Sequence, residues 1–563
     1  MHTNRLLSQF FKQNWPLAPV SIAQAAIISI AFLAMPLGNA QPADGGSSGN
    51  SGSGGAPISN TSVLPHLGEA SDMSPSAERR LGDRIARELY RDPDYIEDAV
   101  IMEYVQGIWQ PLLAAARLRG DLPPELDEHF AWEILMGKDR TVNAFALPGA
   151  YLGLHLGLVA VVTSRDELAS VLAHELSHVT QRHIARMISS QGDRTPWMIG
   201  AMILGILAAS KSVDAANALI VGGQAAAAQS QLNFSRDMER EADRVGFGVS
   251  TQAGFEPEGF VSMFAKLQQA SRLNDTGGFP YLRSHPLTTE RMADMQARIP
   301  QPASTVEGNR NSNGPAVVQV MDHAMVSARA RVLSHAAVDD LRSWAADAEP
   351  ATLARQTSAQ QAGVLYGATF AALKLRDFSN AQALLARLET VAGQDPAGAR
   401  LARLLGGELW LAQGRGDRAL SLLQPPKAAL AHSDGVNRAE SLLLAQAAVV
   451  GSQARPAQAG AALALVAATQ NLQTWVAGHP RDAQAWQQLS TVYGAQGRTL
   501  GAIRAQAEVD MAHMDYPAAL TRFKAAQDWA RKGGAGSDHI EASIVDTRTR
   551  EAALLVKEQA LER

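Results

Sequence analysis

The sequence predicts a mainly α-helical protein with one small β-sheet, followed by an entirely α-helical domain built from repeats. Apolar residues recur at helical spacing from residue 73 to about residue 129, and the period becomes strand-like between 130 and 163. Beyond a polar linker at 301–315, the composition shifts to Ala, Leu, Gln and Arg. The 563 residues are enough for two or three domains.

Composition excludes several classes of protein. Hydrophobic residues make up 46% and charged residues 19% of the chain, so most of it can bury a core. The formal net charge is −5 and no strongly basic patch is present, which argues against a nucleic-acid partner. The chain has 0 cysteines, which excludes disulfides, thiolate metal sites and cysteine nucleophiles. Any metal ion must therefore be held by His, Asp and Glu.

The first 40 residues have the parts of a secretory signal peptide. A positively charged start is followed by an apolar run at 25–33 and by small residues that suit a signal peptidase. An uncleaved membrane anchor is the alternative, although the run is shorter than the roughly 20 residues that a spanning helix needs. We predict a signal peptide at 1–40, export to a bacterial periplasm, and a flexible linker at 41–72.

Residues 73–300 are predicted to form one domain in which helices surround a small sheet. A Ser-Pro pair at 74–75 suits the start of the first helix. Strand-like segments follow at 130–136, 143–147 and 151–163, and a Pro-Gly turn separates the last two.

The most informative motif of the chain lies on a helix predicted over 164–189, which begins with a Ser-x-x-Glu capping box. His174, Glu175 and His178 form the pattern HExxH. Positions four apart lie on one helix face, so both imidazoles can bind one metal ion. Glu175, about 100° around the helix from His174, is placed to take a proton from a water molecule on that metal. Two solvated histidines are the alternative, which the apolar stripe on the opposite face disfavours.

A catalytic zinc needs a third protein ligand and an open fourth position. Glu239 and Asp243 are four residues apart and share a helix face. We predict that Glu239 binds the metal and that Asp243 accepts a hydrogen bond from a ligand histidine. A solvated charged helix is the alternative, and Glu241 is a weaker ligand candidate. On a continuous helix His183 would lie about 140° around from His178, so it is interpreted as a structural or surface residue.

HExxH followed by ExxxD resembles the family of zinc peptidases that includes CAAX prenyl protease and the bacterial heat-shock membrane protease. Within that family the chain is most similar to periplasmic members that act in outer-membrane β-barrel assembly. The resemblance is strong over 73–300 and weak over 316–563. It implies a zincin-like α+β peptidase domain and one zinc ion per subunit. The segments that carry it are 143–158, 167–186, 239–246 and 284–291.

The resemblance also implies a regulatory role for His285, which matches a loop histidine that occupies the fourth zinc position and keeps the enzyme latent. A loop-capping histidine is the alternative. Arg291 follows this loop and is a candidate for stabilising an oxyanion or holding a carboxylate.

An edge strand beside the cleft is predicted at Asn143, Ala144 and Phe145, where a substrate peptide would add as a further strand. An interior strand is the alternative.

Helical-hairpin repeats are predicted in 316–563. Pairs ending in Pro, at 395–396 and 479–480, precede a first helix, and Gly-Arg pairs at 414–415 and 497–498 close it. This pattern suggests tetratricopeptide-like repeats, and a plain helical bundle is the alternative.

The apolar run within 197–228 is too short to cross a membrane. A buried helix or active-site lid is favoured there, and peripheral contact with a membrane is the alternative.

These features together predict an endopeptidase of envelope quality control. Its expected partners are unfolded or stalled outer-membrane proteins and, through the repeat domain, the barrel-assembly machinery. A chaperone or assembly scaffold with a largely latent peptidase site is the alternative.

Overall fold

The computed structural model describes most of the chain beyond residue 72. The segments predicted at 1–40, 41–72, 197–228 and 301–315 lie outside the described residues, so those interpretations and the domain limits stay predictions. The described residues are 73–189, 235–272, 280–299, 320–335, 337–424, 437–454, 456–458, 460–532 and 539–561.

The predicted fold class is confirmed: helices dominate, and one small sheet lies in the first half of the described chain. The Ser-Pro start of the first helix is also confirmed, because Ser74 caps it and Pro75 is its first residue. The elements of this part are α1 (Pro75–Tyr90), α2 (Ala99–Arg119), α3 (Pro124–His129), β1 (Glu133–Gly137), β2 (Ala144–Leu147), a 3-10 turn (Pro148–Ala150), β3 (Tyr151–His155) and α4 (Leu156–Val161).

The sheet has three strands in the order β1-β3-β2. The central strand β3 pairs in parallel with β1 and antiparallel with β2, so β2 lies at an edge. The strand predicted over 151–163 was too long, because β3 ends at His155 and α4 follows at once. Residues 156–161 are a short apolar run, and periodicity alone does not separate a buried strand from a buried helix in such a run.

The helix predicted over 164–189 is instead two helices. Ser164 accepts a hydrogen bond from the Glu167 amide (3.1 Å), which confirms the predicted start. Helix α5 then ends at Thr180, and Arg182 has a positive φ of 53° before α6 begins. The elements of this part are α5 (Arg165–Thr180), α6 (His183–Ser189), α7 (Arg236–Gln252), α8 (Glu258–Arg272), α9 (Tyr281–Ser284) and α10 (Thr289–Arg298).

Helices that mostly pack against the next helix in the chain, as hairpins, make up the remainder of the described chain. The predicted helix start at 395–396 is confirmed, because Asp395 caps the helix and Pro396 is its first residue. Assignment of these hairpins as tetratricopeptide repeats stays a prediction. The helices are α11 (Met321–Ser334), α12 (Val338–Ala346), α13 (Pro350–Leu353), α14 (Ser358–Lys374), α15 (Phe378–Ala392), α16 (Pro396–Ala412), α17 (Gly416–Leu423), α18 (Arg438–Gln453), α19 (Ala461–Gly478), α20 (Ala483–Ala495), α21 (Thr499–Ala512), α22 (Tyr516–Arg531) and α23 (His539–Leu561).

One hydrophobic core extends from Val100 to Ala447 and includes residues of both predicted domains. Helix α11 packs against α4 and α2, and α18 also contacts α2. Among the described helices, none combines the length and apolar character that a membrane span requires.

Candidate metal centre and active site

Helix α5 presents His174 and His178 to the protein interior. It packs against α7, α8 and strand β2, and both imidazoles are buried. The Nε2 atoms of the two rings lie 3.0 Å apart, as expected for side chains one helical turn apart on one face.

Helix α7 crosses α5 at close range and brings two carboxylates to these histidines. A Cβ atom on Gly246 would lie only 3.0 Å from the Ala173 carbonyl oxygen, so a glycine permits this approach. Glu239 then reaches the imidazoles: its Oε1 lies 3.4 Å from His178 Nε2, and its Oε2 lies 3.5 Å from His174 Nε2.

His285 completes a cluster of four potential ligands. Its Nδ1 lies 3.0 Å from Glu239 Oε1 and 3.4 Å from His174 Nε2. The four ligand atoms of the cluster, which includes His178, lie within 4.8 Å of one another. A tetrahedral zinc with bonds of about 2.0–2.1 Å separates its ligand atoms by roughly 3.3 Å. The separations between the ligand atoms of this cluster therefore fit a single ion of that size.

Asp243 and Arg291 support the cluster from behind. His174 Nδ1 lies 3.0 Å from Asp243 Oδ1, so this nitrogen carries the proton and leaves the Nε2 lone pair for a metal. Arg291 Nε donates to Asp243 (2.6 Å), and its Nη1 contacts Glu239 Oε2 at 2.7 Å. Of the two roles considered for Arg291, these contacts fit the holding of carboxylates, because its guanidinium faces both of them.

The pKa values of the cluster indicate that a positive charge beside Glu239 and Asp243 is favourable. Burial lowers the pKa of His174, but hydrogen bonds with Asp243 and Glu239 outweigh it and raise the pKa to about 10. Burial holds the pKa of His178 well below its usual value. Burial also acts to raise the pKa of Glu239, yet the charge of His285 and contacts with the other imidazoles hold it well below the usual range. A metal ion can supply this positive charge in place of a proton.

Glu175 is fully buried on the flank of the cluster. Its Oε2 accepts a hydrogen bond from the Ala146 amide (2.9 Å). Its Oε1 has no hydrogen-bond partner among the described residues and lies 3.4 Å from His285 Nε2. Burial raises the pKa of this carboxyl, and the charges of His285 and His174 act in the opposite direction. The carboxylate is thus poised to accept a proton at Oε1.

His285 lies between the metal position and Glu175. Its ring is 2% exposed and stacks on Tyr281, with ring centroids 4.6 Å apart. One ring nitrogen faces Glu239 and the other faces Glu175. The imidazole therefore contacts both the candidate third ligand and the flanking carboxylate.

Strand β2 lies at the edge of the sheet, as predicted, but begins at Ala144, one residue after Asn143. The His155 amide donates to the Asn143 carbonyl, and Phe145 pairs with Gly153. In an antiparallel pair, every second residue forms hydrogen bonds with the neighbouring strand. Asn143 and Phe145 take these positions, so the backbone groups of Ala144 and Ala146 point away from β3. The outward edge of β2 therefore passes beside Glu175.

Sequence reasoning missed one contact of the cluster. His183 Nδ1 lies 2.9 Å from His178 Nδ1, and His183 Nε2 lies 3.0 Å from Glu241 Oε2. The azimuth of about 140° assumed a continuous helix. The interruption at Arg182 turns the chain and places the two imidazoles side by side.

Together the fold and the site define a metallopeptidase domain of the HExxH type. Residues 106–299 match the model of Peptidase family M48.

Named relatives agree with this assignment. The chain is 31% identical to a putative beta-barrel assembly-enhancing protease of Vibrio cholerae, over 58% of this chain and 63% of the relative. It is 32% identical to the beta-barrel assembly-enhancing protease of Escherichia coli K12, over 42% of this chain and 47% of the relative. It is 26% identical to the mitochondrial metalloendopeptidase OMA1 of Saccharomyces cerevisiae, over 35% of this chain and 55% of the relative. The chain thus covers less than two thirds of each relative's length.

Proposed function

We propose that the chain is a zinc-dependent endopeptidase of the bacterial periplasm that degrades misassembled outer-membrane β-barrel proteins. The observation that carries the proposal is the convergence of His174, His178 and Glu239 on one point beside the buried carboxylate of Glu175. The process is suggested by the name beta-barrel assembly-enhancing protease that two of the relatives bear.

Zinc fits the donor set, because two imidazoles and one carboxylate with a further coordination position are typical of catalytic zinc in peptidases. One ion per chain would be held by His174, His178 and Glu239. When bound, zinc supplies a Lewis acid that polarises a carbonyl and lowers the pKa of a water molecule to roughly 7.

Glu175 is the proposed general base. Its Oε1 would take a proton from the attacking water and pass it to the leaving amine. The hydrogen bond from the Ala146 amide to Oε2 holds the carboxylate in this orientation. Burial favours the transfer, since it makes the carboxylate a stronger base than an exposed one.

The substrate would bind as an additional strand on β2. Ala144 directs its amide and carbonyl outward, and Ala146 directs its carbonyl outward, while its amide is held by Glu175. Main-chain pairing of this kind tolerates many side-chain sequences. An unfolded barrel protein consists of extended segments of this kind, so this mode of binding suits the proposed substrate.

His285 is the proposed regulatory switch. This proposal is supported by its contacts with Glu239 (3.0 Å) and Glu175 (3.4 Å), the candidate third ligand and the proposed base. Under this proposal, hydrolysis would require this imidazole to move away, and the described conformation would be that of a latent enzyme.

The proposed partners are unfolded or stalled outer-membrane proteins and the barrel-assembly machinery. The helical hairpins beyond residue 320 offer an extended surface for such contacts. The proposal also includes peripheral membrane contact through 197–228. It does not include a nucleic-acid partner.

The proposal is tested by degradation of an unfolded outer-membrane barrel protein at equal zinc occupancy. Glu175→Gln should lower the rate by roughly 10²–10⁴-fold without loss of zinc. His285→Ala should raise the rate, whereas His129→Ala, which changes an exposed histidine that is not part of the cluster, should leave it unchanged. An unaltered rate in His285→Ala would exclude the switch, and equal rates in wild type and Glu175→Gln would exclude the proposed base.

A chaperone or assembly scaffold is the second candidate function. The observation that favours it is the burial of His285 within the cluster, which closes the peptidase site. If none of the variants cleaves while all of them bind zinc, the scaffold function becomes the better conclusion. Glu175→Gln should then still support barrel assembly.

A further inference from the structure

The interruption between α5 and α6 has a specific structural cause. Arg182 has a φ of 53°, a left-handed conformation that is unfavourable for a residue other than glycine. Its guanidinium donates to the Met73 carbonyl and lies 3.3 Å from the buried carboxylate of Glu78 on α1. These contacts hold the turn in place, and α6 begins immediately after it with His183.

His183 is fully buried between a candidate ligand and a carboxylate. The ring centroids of His178 and His183 lie 4.9 Å apart, and their Nδ1 atoms lie 2.9 Å apart. On its other side, His183 Nε2 lies 3.0 Å from Glu241 Oε2, which also accepts from Arg186 Nη1 at 3.0 Å. The row of contacts leads from the candidate metal position to a glutamate that is 31% exposed.

The hydrogen-bonding capacities of these groups determine one tautomer for each ring. A carboxylate only accepts, so the Nε2 of His183 carries a proton and donates to Glu241. The Nδ1 of neutral His183 is then an acceptor, and it receives the Nδ1 proton of His178. His178 is left with a lone pair on Nε2, the atom that faces Glu239 and His174. This is the tautomer that a metal ligand requires.

Helix α7 therefore supports both ligand histidines. Asp243 contacts His174 directly, whereas Glu241 supports His178 through His183. Residues two apart on a helix differ by about 200° in azimuth, so Glu241 does not reach the position that Glu239 faces. The imidazole of His183 on α6 spans this difference.

We propose that His183 and Glu241 are positioning residues that fix the orientation and tautomer of His178 for metal binding. The inference rests on the proposed metal site and extends it by two residues. It implies the wider signature HExxHxxxxH followed by ExExD, in which each ligand histidine has its own carboxylate support.

The test compares zinc affinity, measured by competition with a chromogenic chelator, in the full-length wild type and His183→Leu. Loss of such a partner typically weakens metal binding by about 10–100-fold, and we expect a loss in this range. His183→Gln should recover part of it, because a carboxamide oxygen can accept the His178 proton. The visible absorption spectrum of the cobalt-substituted protein should change in His183→Leu and return toward wild type in His183→Gln.

His323→Leu is the matched control. His323 is also a buried imidazole with a partner at each ring nitrogen, the Tyr104 hydroxyl (2.7 Å) and the Val162 carbonyl (3.0 Å). Its replacement should leave zinc affinity within about threefold of wild type. A similar loss of affinity in His323→Leu and His183→Leu would show a general effect of destabilisation and would overturn the inference.

Glu241→Leu keeps the inference testable if His183→Leu does not fold, because Glu241 is partly exposed. We expect a several-fold loss of zinc affinity in Glu241→Leu. Wild-type affinity in this variant, or in a folded His183→Leu, would overturn the inference and leave the proposed metal site intact. Failure of the wild type itself to bind zinc would instead remove the metal site on which the inference rests.

Discussion

The buried charged cluster around Arg329 and the candidate metal centre, both within the described residues, differ in how their charges are balanced. In the first, Arg329 on α11 lies between Asp98 and Glu408. Its Nε and Nη2 donate to Asp98, while Nη1 and Nη2 donate to Glu408 at 3.1 and 2.7 Å. Nη1 also donates to the Tyr366 hydroxyl. The side chains of this cluster satisfy one another.

In the candidate metal centre, two imidazole nitrogens and a carboxylate face one another, and all three can act as acceptors. The Nε2 atoms of His174 and His178 face each other at 3.0 Å beside Glu239. Two lone pairs at that distance repel each other, so either a proton on His174 or a metal ion must lie between them. A cation from outside the chain would complete this cluster, whereas the Arg329 cluster is complete without one.

The Arg329 cluster has a structural role, whereas the role of the candidate metal centre is functional. Asp98 caps α2, Arg329 lies on α11 and Glu408 lies on α16, so the first cluster joins helices of both predicted domains. Burial acts to raise the pKa of Asp98, but the charge and hydrogen bonds of Arg329 keep it below the usual value. We therefore expect the Arg329 cluster to control stability with or without metal, and the metal centre to contribute stability only when it is loaded.

The largest expected effect is that of Arg329→Met. Removal of the guanidinium leaves the buried Asp98 and the partly buried Glu408 without their partner. Loss of one member of a buried ion pair typically costs about 3–5 kcal/mol. Denaturant unfolding of the zinc-free protein measures the loss. Arg342→Met removes an exposed pair with Asp339 and should have little effect. Equal stability of the Arg329 and Arg342 variants would show that the first cluster does not join the two regions.

Zinc removal is the next largest effect. A ligand at 100 times its dissociation constant stabilises the folded state by about 2.7 kcal/mol, so chelation should lower the free energy of unfolding by this amount. Glu239→Gln should remove most of the zinc-dependent increment, whereas a mildly destabilised variant such as Asp98→Asn should retain it. A zinc-dependent increment of equal size in Glu239→Gln would contradict the assignment of Glu239 as a ligand.

The difference between the clusters also explains what the sequence could predict. His174, His178, Glu239 and Asp243 follow local helical periodicity, which a single sequence displays. The Arg329–Asp98 pair joins positions 231 residues apart, and no local pattern marks it.

The contact between His183 and His178 could not be predicted from the sequence for a related reason. The turn that places it beside His178 depends on contacts between Arg182 and α1, roughly a hundred residues earlier. Most of the helices, the sheet and the start of α5 were predictable, because capping residues and apolar spacing are local signals.

The smallest expected effect is the pH dependence of the Arg329 cluster, compared in wild type and Asp98→Asn. The pKa of Asp98 is lower in the folded chain than its unfolded value of about 3.9. The ionised carboxylate therefore stabilises the fold at pH values above about 4, and this contribution is lost as the pH falls through the folded pKa. Each unit of pKa difference corresponds to about 1.4 kcal/mol.

The free energy of unfolding is measured without zinc for wild type and Asp98→Asn, at neutral pH and well below pH 4. We expect wild type to be more stable at neutral pH and the two values to converge in acid. An asparagine retains the oxygen that accepts the Ile101 amide, so the cap of α2 is kept and only the charge is removed. A gap between the two proteins that stays constant with pH would show that Asp98 acts through its hydrogen bonds alone. Convergence in acid would show that charge pairing with Arg329 stabilises this cluster, as a cation is expected to stabilise the metal centre.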